Sequence, residues 1–536
     1  MTLTVGLISG ALALLSALLV IAGLGSLVVA GTSGGPPVVV CGFLLLQVAL
    51  LVGHFLFPLS GWQLRGVVGL LAIAGLLKGR LWRSRQSRGI AVVAAASFAL
   101  AALAAVSVTN YDSAFYYHSM IAHLRGDHVV FGLANLHYRL GNSSGSLSLA
   151  AFLENGPWGG DGYRLANALV ILVVVIAAAP RVTRVARHRP SAGDLITVIA
   201  VPLCLVEFLR SPGFFIAAPT PDTGFSLTAI LFIAAIADVV TERTESGYLD
   251  LAVWASLALI YRPTGFVLVL LAVALFTNGA IRSRAPTFTW PIALAGFAVA
   301  AHIVMTIAIT GFPLYPIAAF PDLMPWSVPG QIRGNHVRLI TTIAQEAGEE
   351  LSGTGHWSWF KPWVERNDRF VVEALVLLTL GFILLFVRRR RGVMRDAWTL
   401  LGLAAPPVGL WFWAAPDPRF GHGLVLASAA IPLACVLSKR QDREPVYAWG
   451  NRPIGFALVM SSALVWAGFV GQSYRLALGD MSHVGTPKQI VLESDGLIVT
   501  RPRADPGCGA ALWCTPEDVS GLKVGRWGPF TMLSRD

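Results

Sequence analysis

Apolar segments about as long as a membrane-crossing helix recur along almost the whole chain. A helix needs about 20 apolar residues to cross the hydrocarbon core of a bilayer. By that measure the sequence predicts about 14 spans, at residues 3–29, 37–58, 63–78, 89–107, 164–180, 192–210, 224–240, 248–261, 264–278, 289–311, 370–387, 397–414, 420–437 and 453–471. The third, eighth and ninth are short. The predicted fold class is an all-α polytopic membrane protein.

The composition supports this class and excludes a water-soluble globule. Of the 536 residues, 55% are hydrophobic and 13% are charged, against roughly 25% charged in an average soluble domain. The mean hydropathy is +0.66. The first apolar segment lacks the charged start and the short core of a signal peptide, so we expect it to remain as a span.

Clusters of basic residues predict the orientation. The net charge is +11, and Lys and Arg gather at residues 78–88, 181–189, 282–284, 388–395 and 439–443. Short basic loops usually face the cytoplasm. Alternating the spans then places residues 108–163, 211–223, 312–369, 415–421 and 472–536 outside. Nucleic acid is not an expected partner, because no basic patch with interleaved aromatics lies outside these short loops.

Two regions follow from this topology. Residues 1–471 form a transmembrane domain with long external loops at 108–163 and 312–369, and residues 472–536 form an extracytoplasmic tail. Loops this long usually carry function. The second loop contains a predicted amphipathic helix near 336–350 and three tryptophans, which either anchor it at the membrane interface or stack on sugars. The tail contains the strand-like runs QIVLES and GLIVTRP.

The five cysteines fall into two groups. Cys41, Cys204 and Cys435 lie in apolar segments and are predicted to be packing residues. Cys508 and Cys514 lie close together in the tail, where a disulfide would need an oxidising compartment. An external tail satisfies that condition. A zinc site is the alternative, although two cysteines without a nearby histidine supply few of its ligands.

The first external loop concentrates polar chemistry in TNYDSAFYYHSMIAHLRGDHVVFGLANLHYRLGNSS, residues 109–144. Asp112 follows the fourth span closely, where partial desolvation could tune its carboxyl group for proton abstraction or metal binding. Alternatively, Asp112 only caps the helix that follows it. The polar residues downstream suit hydrogen bonding to hydroxyl and phosphate groups; they are His118, Asn135, His137, Arg139 and Asn142.

Two further motifs share the predicted external side. Asp222 lies in SPGFFIAAPTPDTG, where it either forms a turn or belongs to a site. WFWAAPDPRF places Asp417 and Arg419 at the end of the twelfth span. An external arginine runs against the positive-inside bias, so it either binds an anion such as a lipid phosphate or is neutralised by Asp417. The chain has no P-loop and no dinucleotide fingerprint, so an external enzyme would need a donor delivered through the lipid.

The many spans, with an acidic residue in the first large external loop, resemble the GT-C class of membrane glycosyltransferases. The segments YDSAFYYHSMIAHL, VVFGLANLHYRLGNSS, GFPLYPIAAFPDLMPWSVP, APDPRFG and CGAALWCTP are also similar to a family of bacterial membrane proteins with little assigned function. The resemblance implies a catalytic role for Asp112. Substrate-binding roles are expected for His118, Asn135, His137, Arg139, Asn142, Asp222 and Arg419. The class often carries two acids in this loop, whereas NYDS has one, so the need for a divalent metal (Mg²⁺ or Mn²⁺) stays open.

The expected function is transfer of a sugar from a polyprenyl-phosphate donor to a glycan, lipid or protein acceptor outside the cytoplasm. Thirty-five arginines against five lysines suggest a GC-rich bacterial genome, which would place the enzyme in a bacterial cytoplasmic membrane and in cell-envelope glycan biosynthesis. One alternative is a transporter or flippase of a lipid-linked glycan or small solute. It predicts a polar pathway at the membrane midplane and broken spans. A non-catalytic scaffold is the other alternative.

Overall fold

The computed structural model describes residues 3–29, 38–78, 87–154, 160–186, 190–242, 245–281, 289–317, 321–322, 324–345, 357–388, 391–438, 489–494, 497–502, 513–515 and 521–535. Within these ranges the chain forms α-helices and two β-hairpins. The helices are α1 (Leu3–Val29), α2 (Val38–Leu56), α3 (Trp62–Lys78), α4 (Ser87–Ala104), α5 (His118–Gly126), α6 (Gly145–Leu153), α7 (Leu165–Ala186), α8 (Ala192–Arg210), α9 (Pro212–Phe215), α10 (Pro221–Thr241), α11 (Glu245–Tyr261), α12 (Phe266–Ile281), α13 (Trp290–Thr310), α14 (Gly330–Gln345), α15 (Phe360–Arg366), α16 (Asp368–Arg388), α17 (Arg391–Ala414) and α18 (Pro418–Ser438).

Nine helices in the described part of the chain are long and apolar enough to cross a membrane: α1, α2, α7, α8, α10, α13, α16, α17 and α18. Three shorter apolar helices, α4, α11 and α12, lie among them. These helices indicate an integral membrane protein. The predicted total of about 14 spans is not confirmed, because α4, α11 and α12 are shorter than a full span. The predicted span at 453–471 lies outside the described residues.

The central helix α10 defines two ends of the bundle. It packs against α7, α8, α11 and α18 and is buried along nearly its whole length. At one end, Arg181 of α7 donates to Asp238 of α10 at 2.7 Å, and Arg184 of α7 pairs with Asp194 of α8 at 2.6 Å. Asp222 lies at the other end of α10, about 24 Å away at the rise of an α-helix. Arg181 and Arg184 of the basic segment therefore lie at the opposite end from Asp222.

The tail packs on the first long loop through its second hairpin. This hairpin consists of β3 (Leu522–Trp527) and β4 (Phe530–Arg535). The Phe131 N–H donates to the Thr531 carbonyl at 2.9 Å, and the Leu533 N–H donates to the Phe131 carbonyl at 2.8 Å. Gly132 has a φ of +70°, and a Cβ at this position would lie 2.0 Å from the Leu533 carbonyl oxygen, so a glycine is needed where the first loop meets the tail.

The other tail predictions have mixed outcomes. The runs QIVLES and GLIVTRP form an antiparallel pair, β1 (Gln489–Ser494) and β2 (Leu497–Pro502), whereas β3 and β4 were not predicted. The hairpins add a small β part to a fold that was predicted as all-α. Cys514 is buried, but Cys508 lies outside the described residues, so the disulfide stays a prediction.

The amphipathic helix of the second loop begins at Gly330, six residues before the predicted 336.

Candidate functional site

Asp112 begins a helical segment without capping it. Its backbone N–H donates to the Asn110 Oδ1 at 2.9 Å, and residues Ser113–Tyr117 form a π-helical turn that leads into α5. Asp112 occupies the N-cap position of that turn but makes no side-chain cap hydrogen bond. The capping interpretation of Asp112 is therefore wrong. Its carboxylate instead accepts from Arg139 Nη1 at 2.8 Å and lies 3.7 Å from Arg419 Nη1.

Three carboxylates and three guanidinium groups meet around Asp112. Arg419 Nε donates to Asp417 Oδ2 at 2.6 Å, and Arg262 hydrogen-bonds the Asp222 carboxylate. The Phe420 ring joins these pairs, because the guanidinium carbons of Arg262 and Arg419 lie 3.8 and 4.7 Å from its centroid. We call this group the acid–arginine cluster; its members are Asp112, Arg139, Asp222, Arg262, Asp417 and Arg419.

The cluster is assembled from segments that are far apart in the sequence. Arg139 comes from the 3-10 turn Tyr138–Gly141 of the first loop, and the Asn142 N–H closes that turn on the Arg139 carbonyl at 3.0 Å. Asp222 lies in the first turn of α10, which Thr220 caps. Arg262 has an extended backbone and lies between α11 and the 3-10 turn Pro263–Gly265. Ends of several helices therefore converge at one end of the bundle.

Two tryptophans fix the turn that carries Asp417 and Arg419. Trp363 Nε1 donates to the Pro416 carbonyl at 2.6 Å, and Trp411 Nε1 donates to the Asp417 carbonyl at 2.9 Å. Trp363 comes from α15 and Trp411 from α17, so the second long loop and the bundle hold the same turn. The buried tryptophans therefore orient one half of the cluster. Trp357, in contrast, is exposed.

Burial sets the electrostatics of the accessible acids. Burial raises the pKa of Asp112 above its ordinary value of 3.8, and the Arg419 and Arg139 guanidinium groups oppose that rise without cancelling it. Burial likewise raises the pKa of Asp417, against the opposing effect of Arg419. The side chain of Asp112 is 17% exposed, whereas that of Asp222 is 2% exposed. The side chain of Asp417 is 20% exposed. Asp112 and Asp417 are therefore the acids that a substrate can reach and that hold a proton more readily than usual.

The donor set of the cluster does not fit a resident metal ion. The Asp112, Asp222 and Asp417 carboxylates each contact an arginine, and a cation would have to displace a guanidinium group that is already there. Throughout the ranges that the structure describes, no group of three or more His, Cys, Asp or Glu side chains could hold a metal ion. The Mg²⁺ or Mn²⁺ option therefore gains no set of ligands.

The structure brings together four of the eight predicted site residues: Asp112, Arg139, Asp222 and Arg419. The other four support the first loop. His118 is buried edge-on against the Tyr163 ring at 4.8 Å, and both Asn135 Nδ2 hydrogens are donated, to the Trp326 carbonyl at 2.9 Å and the Leu533 carbonyl at 3.1 Å.

The other two supporting residues lie next to the cluster. The His137 ring packs against the Phe115 ring at 5.2 Å, and burial, with a smaller effect of Arg139, lowers the pKa of His137 to about 3. His137 is therefore neutral. The Asn142 backbone closes the turn that presents Arg139. His137 contacts the Phe115 ring on which the Arg139 guanidinium group lies. Both residues therefore affect the cluster through the position of Arg139.

Sequence reasoning missed Arg262, although a signal was present. It lies in the short connection between the predicted spans 248–261 and 264–278, which the alternation of spans places on the same side as Arg419. The argument that an arginine on this side needs an anionic partner therefore applies to Arg262 as well.

Residues 7–426 match a family model described as a domain of unknown function (DUF8201), and this range contains every member of the acid–arginine cluster. A search of curated proteins finds no match. The family match covers most of the 536 residues. The chain therefore belongs to the DUF8201 family.

Proposed function

We propose that this protein is a GT-C-type membrane glycosyltransferase that moves a sugar from a polyprenyl-phosphate donor to an acceptor hydroxyl. The observation that carries the proposal is the acid–arginine cluster at one end of an apolar bundle. A partly exposed carboxylate with a raised pKa lies there between two arginines. A carboxylate of that kind suits general-base chemistry, and guanidinium groups suit a phosphate leaving group.

The proposed step assigns a role to each accessible group. The Asp112 carboxylate takes the proton of the acceptor hydroxyl as its oxygen forms a bond to the anomeric carbon of the donor sugar. The bond between that carbon and the phosphate oxygen breaks, and the phosphate leaves with the electron pair. Arg139 and Arg419, both partly exposed, stabilise the charge that develops on the phosphate. Arg262, which is also partly exposed, extends the positive surface on the other side of Phe420.

The nine apolar helices support a lipid-delivered donor, because a polyprenyl chain partitions into the same bilayer that surrounds the bundle. We place the cluster on the extracytoplasmic face of a bacterial cytoplasmic membrane. The support is that Arg181 and Arg184 lie at the end of the bundle opposite to Asp222, and basic residues next to spans usually face the cytoplasm. Labelling of a cysteine introduced at Arg125 only from the cytoplasmic side would overturn this orientation.

A donor assay tests the proposed function. The purified full chain, in vesicles, receives polyprenyl-phosphate sugars in one series and nucleotide sugars in a matched series, together with a mixture of glycan and lipid acceptors. We expect mass spectrometry to detect a glycosylated product and free polyprenyl phosphate only in the first series. Product from nucleotide sugars alone would contradict the lipid-donor assignment.

The same vesicles separate the enzyme from a transporter or flippase. A transporter would move the lipid-linked sugar between leaflets and leave its glycosidic bond intact. Release of polyprenyl phosphate by the unchanged protein, and its loss in Arg419→Gln, would support transfer. Translocation of an intact donor without any cleavage would overturn the proposal.

A further inference from the structure

Helix α14 of the second long loop contacts the turn that carries Arg139. The buried His336 ring lies 4.7 Å from the ring of Tyr138, the residue before Arg139. His336 Nδ1 and the Tyr315 hydroxyl are hydrogen-bonded at 3.1 Å. The Tyr315 ring packs on Gly141, where an added Cβ would lie 2.7 Å from Tyr315 Cε1. His336 and Tyr315 therefore contact both ends of this turn.

The same helix is bonded to the turn that precedes Arg419. The Thr341 hydroxyl donates to the Ala414 carbonyl at 3.1 Å. Ala414 is the last residue of α17, and the final carbonyls of a helix have no partner within that helix. The turn that follows leads into α18, whose first turn contains Arg419. Thr341 therefore fixes α14 to the beginning of the segment that presents Arg419.

These two contacts lie on different sides of α14. His336 and Thr341 are five positions apart, which corresponds to about 7.5 Å along the helix axis and about 140° around it. A helix of 16 residues keeps this separation, because its backbone hydrogen bonds fix the rise and the rotation per residue. Near the start of α14, the Arg333 guanidinium carbon lies 3.9 Å from the centroid of the buried Phe312 ring. Helix α14 is therefore an anchored, rigid connection between the two turns.

We propose that α14 is the spacer that sets the separation between Arg139 and Arg419. His336 and Thr341 are then positioning residues for the phosphate that the two arginines bind. Both guanidinium groups contact the Asp112 carboxylate, at 2.8 and 3.7 Å, so their separation decides how well two phosphate oxygens are bound at once. A misplacement of about 1 Å caused by a distant residue can cost about 10²-fold in rate. This inference rests on the proposed function and deepens it, because it makes the second loop part of the donor site.

Binding of a phosphate probe tests the spacer without any need for turnover. Isothermal titration calorimetry measures the affinity of the full chain, in detergent, for a short-chain polyprenyl phosphate and for the matched polyprenol that lacks the phosphate. His336→Phe keeps a ring against Tyr138 and loses the bond to Tyr315, and Thr341→Val keeps the shape and loses the hydroxyl. We expect each variant to raise the Kd of the phosphate about threefold to tenfold, the scale of one hydrogen bond, and to leave the Kd of the polyprenol unchanged. Thr341→Ser keeps the hydroxyl and should bind the phosphate like the unchanged protein.

Kinetics and a matched control separate positioning from a general loss of packing. In transfer assays His336→Phe and Thr341→Val should lower kcat, because the arginines act on the charge that develops on the phosphate, and should leave the acceptor KM unchanged. Asn335→Ala changes an exposed residue of the same helix and should alter neither measurement.

Two results would overturn the spacer. One is that both variants keep the phosphate affinity of the unchanged protein, and the other is that they lose affinity for the phosphate and the polyprenol equally. Absence of transfer by the unchanged protein would instead refute the proposed function, whereas a selective loss of phosphate affinity in the variants would still support the spacer.

Discussion

Replacing Asp112 with asparagine separates a catalytic carboxylate from a structural one. The substitution keeps the shape of the side chain and one oxygen acceptor for Arg139, and it removes the charge and the proton affinity. Because Asp112 does not cap its helix, no capping energy is lost. The ion pair with Arg139 is weakened, but the cost of burying a charge at a site that raises the pKa of Asp112 is removed as well. We therefore expect the free energy of unfolding to change by less than about 1 kcal/mol.

Turnover should respond far more strongly. Removal of a general base usually costs about 10²-fold to 10⁴-fold in rate, which is far larger than so small a change in stability can produce. Transfer from a polyprenyl-phosphate sugar would be measured on vesicles that contain equal amounts of the two proteins. Glu207→Gln is a matched control, because it removes a carboxylate from an arginine pair of α8 at 3.2 Å that is not part of the cluster. Near-normal transfer by Asp112→Asn would remove Asp112 from the mechanism.

The pH dependence of stability provides a second check on the same residue. The pKa of Asp112 is raised in the folded protein, so between 3.8 and that raised value the folded state binds more protons at this group than the unfolded state. The contribution of Asp112 to stability is therefore largest below this window and falls as the pH rises through it. Thermal unfolding in detergent, measured as the pH is raised from about 3.5, should show this slope reduced in Asp112→Asn. An identical slope in the two proteins would contradict the conclusion that burial raises the pKa of Asp112.

Three other predictions concern the support of the site and the tail. Trp363→Phe removes the indole N–H that holds the turn before α18, so turnover should fall about tenfold for a stability loss of about 1 kcal/mol; equal activity would show that the turn is held by other contacts. Asp238→Asn removes the nearest partner of the buried Arg181 and should lower the free energy of unfolding by about 2 kcal/mol, less than for a fully isolated charge, as thermal unfolding in detergent would show. Intact-mass analysis of protein purified without reductant should find Cys508 and Cys514 oxidised, and two free thiols would exclude the disulfide.

The apolar pattern predicted the architecture well, because hydrophobic length alone decides which helices can cross a bilayer. The predicted number of spans is not confirmed: nine helices of the described residues have full spanning length, and α4, α11 and α12 are apolar but short. The pattern could not predict β3 and β4. Each strand mixes apolar with polar or charged side chains over six residues, and both strands depend on contacts such as the pairing of Phe131 with the tail, which no local signal encodes.

The site was predicted in part for a similar reason. Asp112, Arg139 and Arg419 lie in loops that the topology assigns to one side, so their meeting follows from the arrangement of the spans. His118 and Asn135 look equally polar in the sequence, yet both are buried and occupied with packing or hydrogen bonds to the backbone. A single sequence cannot distinguish a polar side chain that faces a cavity from one that joins two segments, because both need the same hydrogen-bonding groups.

The pairing within the cluster bears on how the proposed enzyme would work. Buried ion pairs add little net stability compared with apolar packing, so three such pairs at the end of an apolar bundle call for another explanation. In the resting cluster each arginine is neutralised by a carboxylate, which makes the group tolerable in its partly desolvated site. A donor phosphate binding to Arg139 and Arg419 would compete with Asp112 for the same guanidinium hydrogens. Donor binding should therefore loosen Asp112 from its partners and raise its proton affinity further, so that the base becomes available when the sugar donor is in place.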